Sequence, residues 1–108
     1  MSPVEDNGQI NVEFSLAFDL WLERLRDRQA AARITERLVR LRSGHWGDVK
    51  SVGEGVSGLR ITTGPGYRLY ALKRGDTWVV MLGGGDKSSQ IRDIEAAKQL
   101  AKEYRRGA

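Results

Sequence analysis

The residues of this sequence that could do chemistry are arginines placed beside glycines. Leu59 to Thr63, Tyr67 to Arg74 and Thr77 to Leu82 alternate with period 2, separated by Gly64-Pro65-Gly66 and by Gly75-Asp76, and this predicts a three-stranded meander. With a three-residue loop at Gly64 to Gly66, Ile61 pairs with Leu69 and Arg60 with Tyr70. With a two-residue turn at Gly75-Asp76, Ala71 pairs with Val80, Leu69 with Leu82 and Arg68 with Gly83. Leu59, Ile61, Leu69, Ala71, Val80 and Leu82 then share the face that helices must cover, and Arg60, Arg68, Tyr70, Val79 and Met81 share an open one. Gly83-Gly84-Gly85 removes side-chain bulk beside Arg68, where a planar guanidinium could meet a phosphate. An ordinary solvated sheet face presents the same pattern. Asp86-Lys87-Ser88-Ser89 follows at a helix start, where free backbone N–H groups favour an anion and where Asp86 or a serine equally suits a plain cap.

Other chemistries are poorly supplied. The phosphate-loop pattern GxxxxGK[ST] is absent, because Asp86 stands where its second glycine belongs. His45 is the one histidine and there is no cysteine, so a disulfide framework, a thiolate zinc site and a cysteine nucleophile are excluded. No spacing of acids or histidines suggests a metal, and no cofactor is implied. Arg26, Arg33, Arg37 and Arg40 form a basic stripe, expected first as a solvated face and second as an RNA or partner surface.

The elements that must position these residues read as follows. Ile10, Val12 and Phe14 alternate as a strand, and Ser15 caps a helix to Arg26 with Phe18, Trp21, Leu22 and Leu25 inward. Asp27 caps a second helix to about Arg42, with Ala31, Ile34, Leu38 and Leu41 inward and Gly44 past its end. A short strand is expected around Val49 to Val52. The last helix starts near Ser88 or Ser89 and places Ile91, Ile94, Ala97, Ala101 and Tyr104 on one side. Trp21 and Trp78 read as core, and Trp46 as core cover or contact. The sum is an α+β fold: β-α-α, then an antiparallel sheet meander and a C-terminal helix.

At 108 residues the chain is expected to form a single domain over 1–108, with 1–9 flexible. Its net charge of +4 favours an anionic partner, and the charge is unevenly spread. Residues 15–43 carry seven arginines against four acids. Short apolar runs and an acidic start lead us to expect a cytoplasmic protein with no membrane association.

Five segments together resemble a known family: FDLWLERLRD (Phe18 to Asp27), GDVKSVGEG (Gly47 to Gly55), LRITTGPGYRLY (Leu59 to Tyr70), LGGGDKSSQ (Leu82 to Gln90) and LAKEYR (Leu100 to Arg105). In this order and spacing they are similar to the small toxins of the RelE/ParE superfamily, in particular the HigB-like "addiction module killer" branch of type II toxin-antitoxin systems. The resemblance covers roughly residues 10–106 and implies a RelE-like fold, a cognate helix-turn-helix antitoxin, and operator DNA bound through the antitoxin complex. It further implies metal-independent cleavage of mRNA on the ribosome. By position it makes Arg68, Arg60 and Lys87 catalytic. Lys50, Tyr70 and Ser88 are the residues expected to bind substrate. The RelE C-terminal tyrosine has no match, since Ile91 and Arg92 stand near that place, and the HigB catalytic histidines are not evident. Proton transfer is therefore unassigned. Tyr70 on the open face, or Tyr104 in the last helix, is expected to stack on a base, although Tyr104 reads first as core. Two alternatives stay open: a ParE-like gyrase inhibitor, and an inactive toxin that acts mainly in a repressor complex.

Overall fold

The computed structural model describes residues 9–107. The expectation for 1–9 falls, but for Gln9, outside the described residues. In chain order the elements are β1 (Asn11–Phe14), α1 (Leu16–Arg24), α2 (Arg28–Arg42), β2 (Val49–Gly53), β3 (Val56–Ile61), β4 (Tyr67–Arg74), β5 (Trp78–Asp86) and α3 (Gln90–Arg106). This is the expected β-α-α, meander and C-terminal helix. The strands form one sheet in the order β1-β5-β4-β3-β2, antiparallel except where β1 lies parallel to β5.

Local chemistry starts the helices where expected. Ser15 Oγ accepts from Phe18 N, and its hydroxyl also donates to the Leu82 carbonyl, so the α1 cap is tied to β5. Asp27 caps α2 by accepting from Ala30 N, and its other oxygen receives the Tyr67 hydroxyl at 3.4 Å. Burial and the neighbouring Asp27 carboxylate push the Tyr67 phenol above its usual pKa. On α2 the inward small residue is Ala30 rather than Ala31, followed by Ile34, Leu38 and Leu41.

The turns are longer than expected, and this moves the register. Between β3 and β4 five residues, Thr62 to Gly66, form the loop, so Arg60 faces Arg68 and Tyr70 faces Gly58. That two-residue shift keeps every side chain on its face. Between β4 and β5 the loop has three residues, Arg74 faces Trp78 and Ala71 faces Met81. This one-residue shift exchanges the faces of β5. Val79 and Met81 pack with Phe18, Leu38, Leu59 and Leu69 beneath α1 and α2. Val80 and Leu82 pack with Val56, Tyr70, Leu72, Ala97 and Ala101 beneath α3. Helices thus cover both faces of the sheet, and no face is open along its whole length.

Two further expectations are corrected at the surface. Ile91 is 78% exposed, because α3 turns Ile94, Ala97, Leu100 and Ala101 to the sheet. Trp78 is 43% exposed at the start of β5, and its indole N–H donates to Glu13 on β1 at 3.0 Å. Trp21 and Trp46 pack against the α1/α2 core.

Candidate functional site

The glycine run serves packing before it serves a ligand. A Cβ at Gly84 would stand 2.6 Å from the Trp21 ring, and one at Gly85 would stand 1.8 Å from the Asp93 carboxylate. Those glycines let α1 and α3 approach β5. Only Gly83 borders open space, and it faces Tyr70, while Arg68 faces Gly85. The expected concavity lies elsewhere, around the α3 start and the β3–β4 pair.

Arg60 and Arg68 project from the same face of adjacent strands, since cross-strand partners share a face. A cavity of about 140 Å³ is lined by both of them with Lys50 of β2, Tyr70 of β4 and Gln90 of α3. A second concavity is lined again by Arg60 and Arg68, with Lys87 and the Gly64-Pro65-Gly66 loop. Lys50, Arg60, Arg68 and Tyr70 therefore come together, with Lys87 on the far side of the two arginines. Ser88 lines neither. Its backbone N–H and its hydroxyl both donate to Asp86 Oδ1, at 2.8 and 2.6 Å. Asp86 is thus the cap of this turn, and hydrogen bonds from Ser88 hold its carboxyl below the usual carboxylate range. The amide expected for an anion is taken.

Tyr70 differs most from expectation. It is 1% exposed, covered by α3, so its ring is not a stacking platform. Its hydroxyl is buried with no hydrogen-bond partner. Burial first, then the Asp93 carboxylate, raises its pKa, with Arg68 acting in the opposite sense. The phenol stays protonated at neutral pH and can only donate or accept a neutral hydrogen bond.

Two residues outside the expected site set shape this site. Asp48 grips the Arg60 side chain, Nε to Oδ2 at 3.0 Å, and its backbone carbonyl accepts from Arg60 N. Arg37, one of the arginines expected in solvent, donates to the carbonyls of Arg60, Trp46 and Asp48. It staples α2 to β3 and to the segment before β2. Gly47 sits 3.1 Å, measured from an ideal Cβ, from the Arg37 guanidinium, so any side chain there would crowd it. Glycine at 47 also meets a φ of +69°.

Among the described residues no group of three or more His, Cys, Asp or Glu could hold a metal ion. Nor is any described helix long and apolar enough to cross a membrane.

These elements define a small α+β domain with the topology expected of RelE/ParE-type proteins. No protein-family model matches the chain. Over 94 residues it is 46% identical to a Haemophilus influenzae protein described as uncharacterized, covering 87% of this chain and 95% of that one. The chain belongs to the family of that Haemophilus influenzae protein.

Proposed function

We propose that this chain is the toxin of a type II toxin-antitoxin pair, of the HigB-like branch of the RelE/ParE superfamily, and that it cleaves mRNA on the ribosome in the cytoplasm. One observation carries the reading: Arg60 and Arg68, partners across β3 and β4, line two adjoining cavities, one with Lys50 and the other with Lys87. Cations on two sides of a cleft suit a phosphodiester.

In such cleavage the 2′-oxygen attacks the adjacent phosphorus, the bond from phosphorus to the 5′-oxygen breaks, the 2′-hydroxyl loses a proton and the 5′-oxygen gains one. Charge accumulates on the non-bridging oxygens of the phosphorane. Arg60, Arg68 and Lys87 are the groups that stabilise it, and they need no metal to do so. Lys50 holds a neighbouring phosphate. Tyr70, covered by α3, shapes the wall of the cleft, and Ser88 acts through Asp86 to fix the turn that carries Lys87. A helix-turn-helix antitoxin restrains the activity, and the complex binds operator DNA.

The test is mapping of mRNA 5′ ends by primer extension in a purified translation reaction, with and without ribosomes, for the wild type and Arg68→Ala. Cleavage that needs ribosomes and vanishes in the variant is expected. Intact mRNA in the presence of a folded wild-type protein overturns the reading. Induction of the DNA-damage response in its place selects gyrase inhibition, and harmless overexpression selects a repressor role.

A further inference from the structure

Beside the cleft, on the far side of Arg60, lies a larger cavity of about 360 Å³ between α2 and β3. Arg33, Arg37 and Arg40 recur at i, i+4 and i+7 along α2, so one helical stripe faces it. Arg60 and the Thr62 and Thr63 residues close the other wall. Two carboxylates share the cavity. Glu36 pairs with Arg33 at 3.4 Å, and Asp48 pairs with Arg60 at 3.0 Å. Four guanidinium groups against two carboxylates leave it cationic. Arg40 is in none of the ion pairs among the described residues, and the three acceptors held by Arg37 are uncharged carbonyls. Burial lowers the Arg37 pKa, with Asp48 opposing the shift and Arg40 adding to it.

We propose that this α2–β3 cavity is a second anion site, which binds a backbone phosphate of the same RNA strand that reaches Arg68. The proposal rests on the ribonuclease reading and extends it from a cleavage cleft to a track. Continuity is the main argument for RNA. Arg60, Ile61 and Thr62 line both this cavity and the one that holds Arg68 and Lys87, so a chain of phosphates passes from one to the other along β3. The composition argues the same way. Ile61 is the one apolar residue in the lining, and an acidic peptide would find almost no apolar surface to bury, whereas phosphates need only guanidinium forks and hydroxyls.

A short single-stranded 2′-O-methyl oligonucleotide, which lacks the attacking hydroxyl, binds without being cleaved and serves as the probe. Its affinity is measured by fluorescence anisotropy across a salt series for the wild type, the double variant Arg33→Gln/Arg40→Gln and Arg68→Gln. Arg33 and Arg40 are exposed, so the double variant should keep the wild-type circular dichroism spectrum and melting curve. Arg37 is left in place because it staples the fold. The double variant is expected to bind about tenfold more weakly at low salt, and the slope of log affinity on log salt should shrink by about 0.7, the share of one lost phosphate contact. Unchanged affinity and slope in the double variant, with weakened binding in Arg68→Gln, overturns the second site and leaves the cleavage reading standing. Absence of wild-type binding to the probe overturns the track as well, and primer extension then judges the cleavage reading by itself. Displacement of the probe by polyglutamate as readily as by unlabelled oligonucleotide of equal charge overturns the assignment to RNA in favour of an acidic protein segment.

Discussion

Arg60 and Arg68 stand directly opposite each other on antiparallel strands, two cationic side chains in register on one face. Like charges so placed destabilise a sheet by roughly 0.2–1 kcal/mol, and Asp48 offsets this for Arg60 alone. That ion pair is about half exposed at both ends, so it contributes at most about 1 kcal/mol. Folding has little use for the second arginine, as the proposed role of the pair in holding a phosphate requires.

From this relationship Arg68→Gln should separate stability from activity. mRNA cleavage should fall by about 100-fold or more, the scale of removing one transition-state donor. Unfolding in urea should show unchanged stability, or a gain of up to about 1 kcal/mol as the like-charge pair is removed. A marked loss of stability in that titration would mean that Arg68 is structural and would sink its catalytic assignment.

Gly84→Ala tests the reading of the glycine run. The added methyl meets the Trp21 ring at 2.6 Å, which forces α1 away from β5. A loss of about 1–3 kcal/mol in urea unfolding is expected, with RNA-probe affinity unchanged at temperatures where the protein is folded. Equal stability with weakened probe binding would return the glycines to the ligand.

Tyr70→Phe removes a buried hydroxyl that has no partner. An unpaired buried polar group costs about 1–3 kcal/mol, so the variant should be as stable as the wild type or more so. Probe affinity should be unchanged in the same variant, since the hydroxyl lies beneath the surface. A variant that loses stability and binds normally would show that the hydroxyl has a structural partner.

Asp86 sets a limit on acid stability. Hydrogen bonds from Ser88 lower its folded pKa, so its stabilising contribution is full above the unfolded aspartate value of about 3.9 and is lost as pH falls through the lower folded value. Melting temperatures of the wild type and Asp86→Asn should therefore differ by a constant amount above roughly pH 5 and converge below roughly pH 4. A difference that persists unchanged to lower pH would contradict the sign of that shift.

Much of this architecture is legible in local chemistry. Ser15 and Asp27 announce helix starts because a side-chain oxygen before an apolar periodic run satisfies free amide donors, and both do so here. The element order follows from period 2 and period 3.6 alone, and Arg60, Arg68, Lys50 and Lys87 are legible as charges before their positions are. Register could not be read in the same way. Val79, Val80, Met81 and Leu82 are all buried, and so are Leu69, Tyr70, Ala71 and Leu72, because β5 and β4 are covered on both faces. An unbroken apolar run fits either phase of a strand, so one more residue in the Gly75 turn exchanged the faces unnoticed. The parallel pairing of β1 with β5, the cover that α3 puts over Tyr70, and the grip of Asp48 and Arg37 around Arg60 arise between segments distant in the chain. Composition and periodicity determined which elements form and which side chains are charged. Only tertiary packing decided which of those charges share a cleft, because that depends on turn lengths and on which surfaces meet.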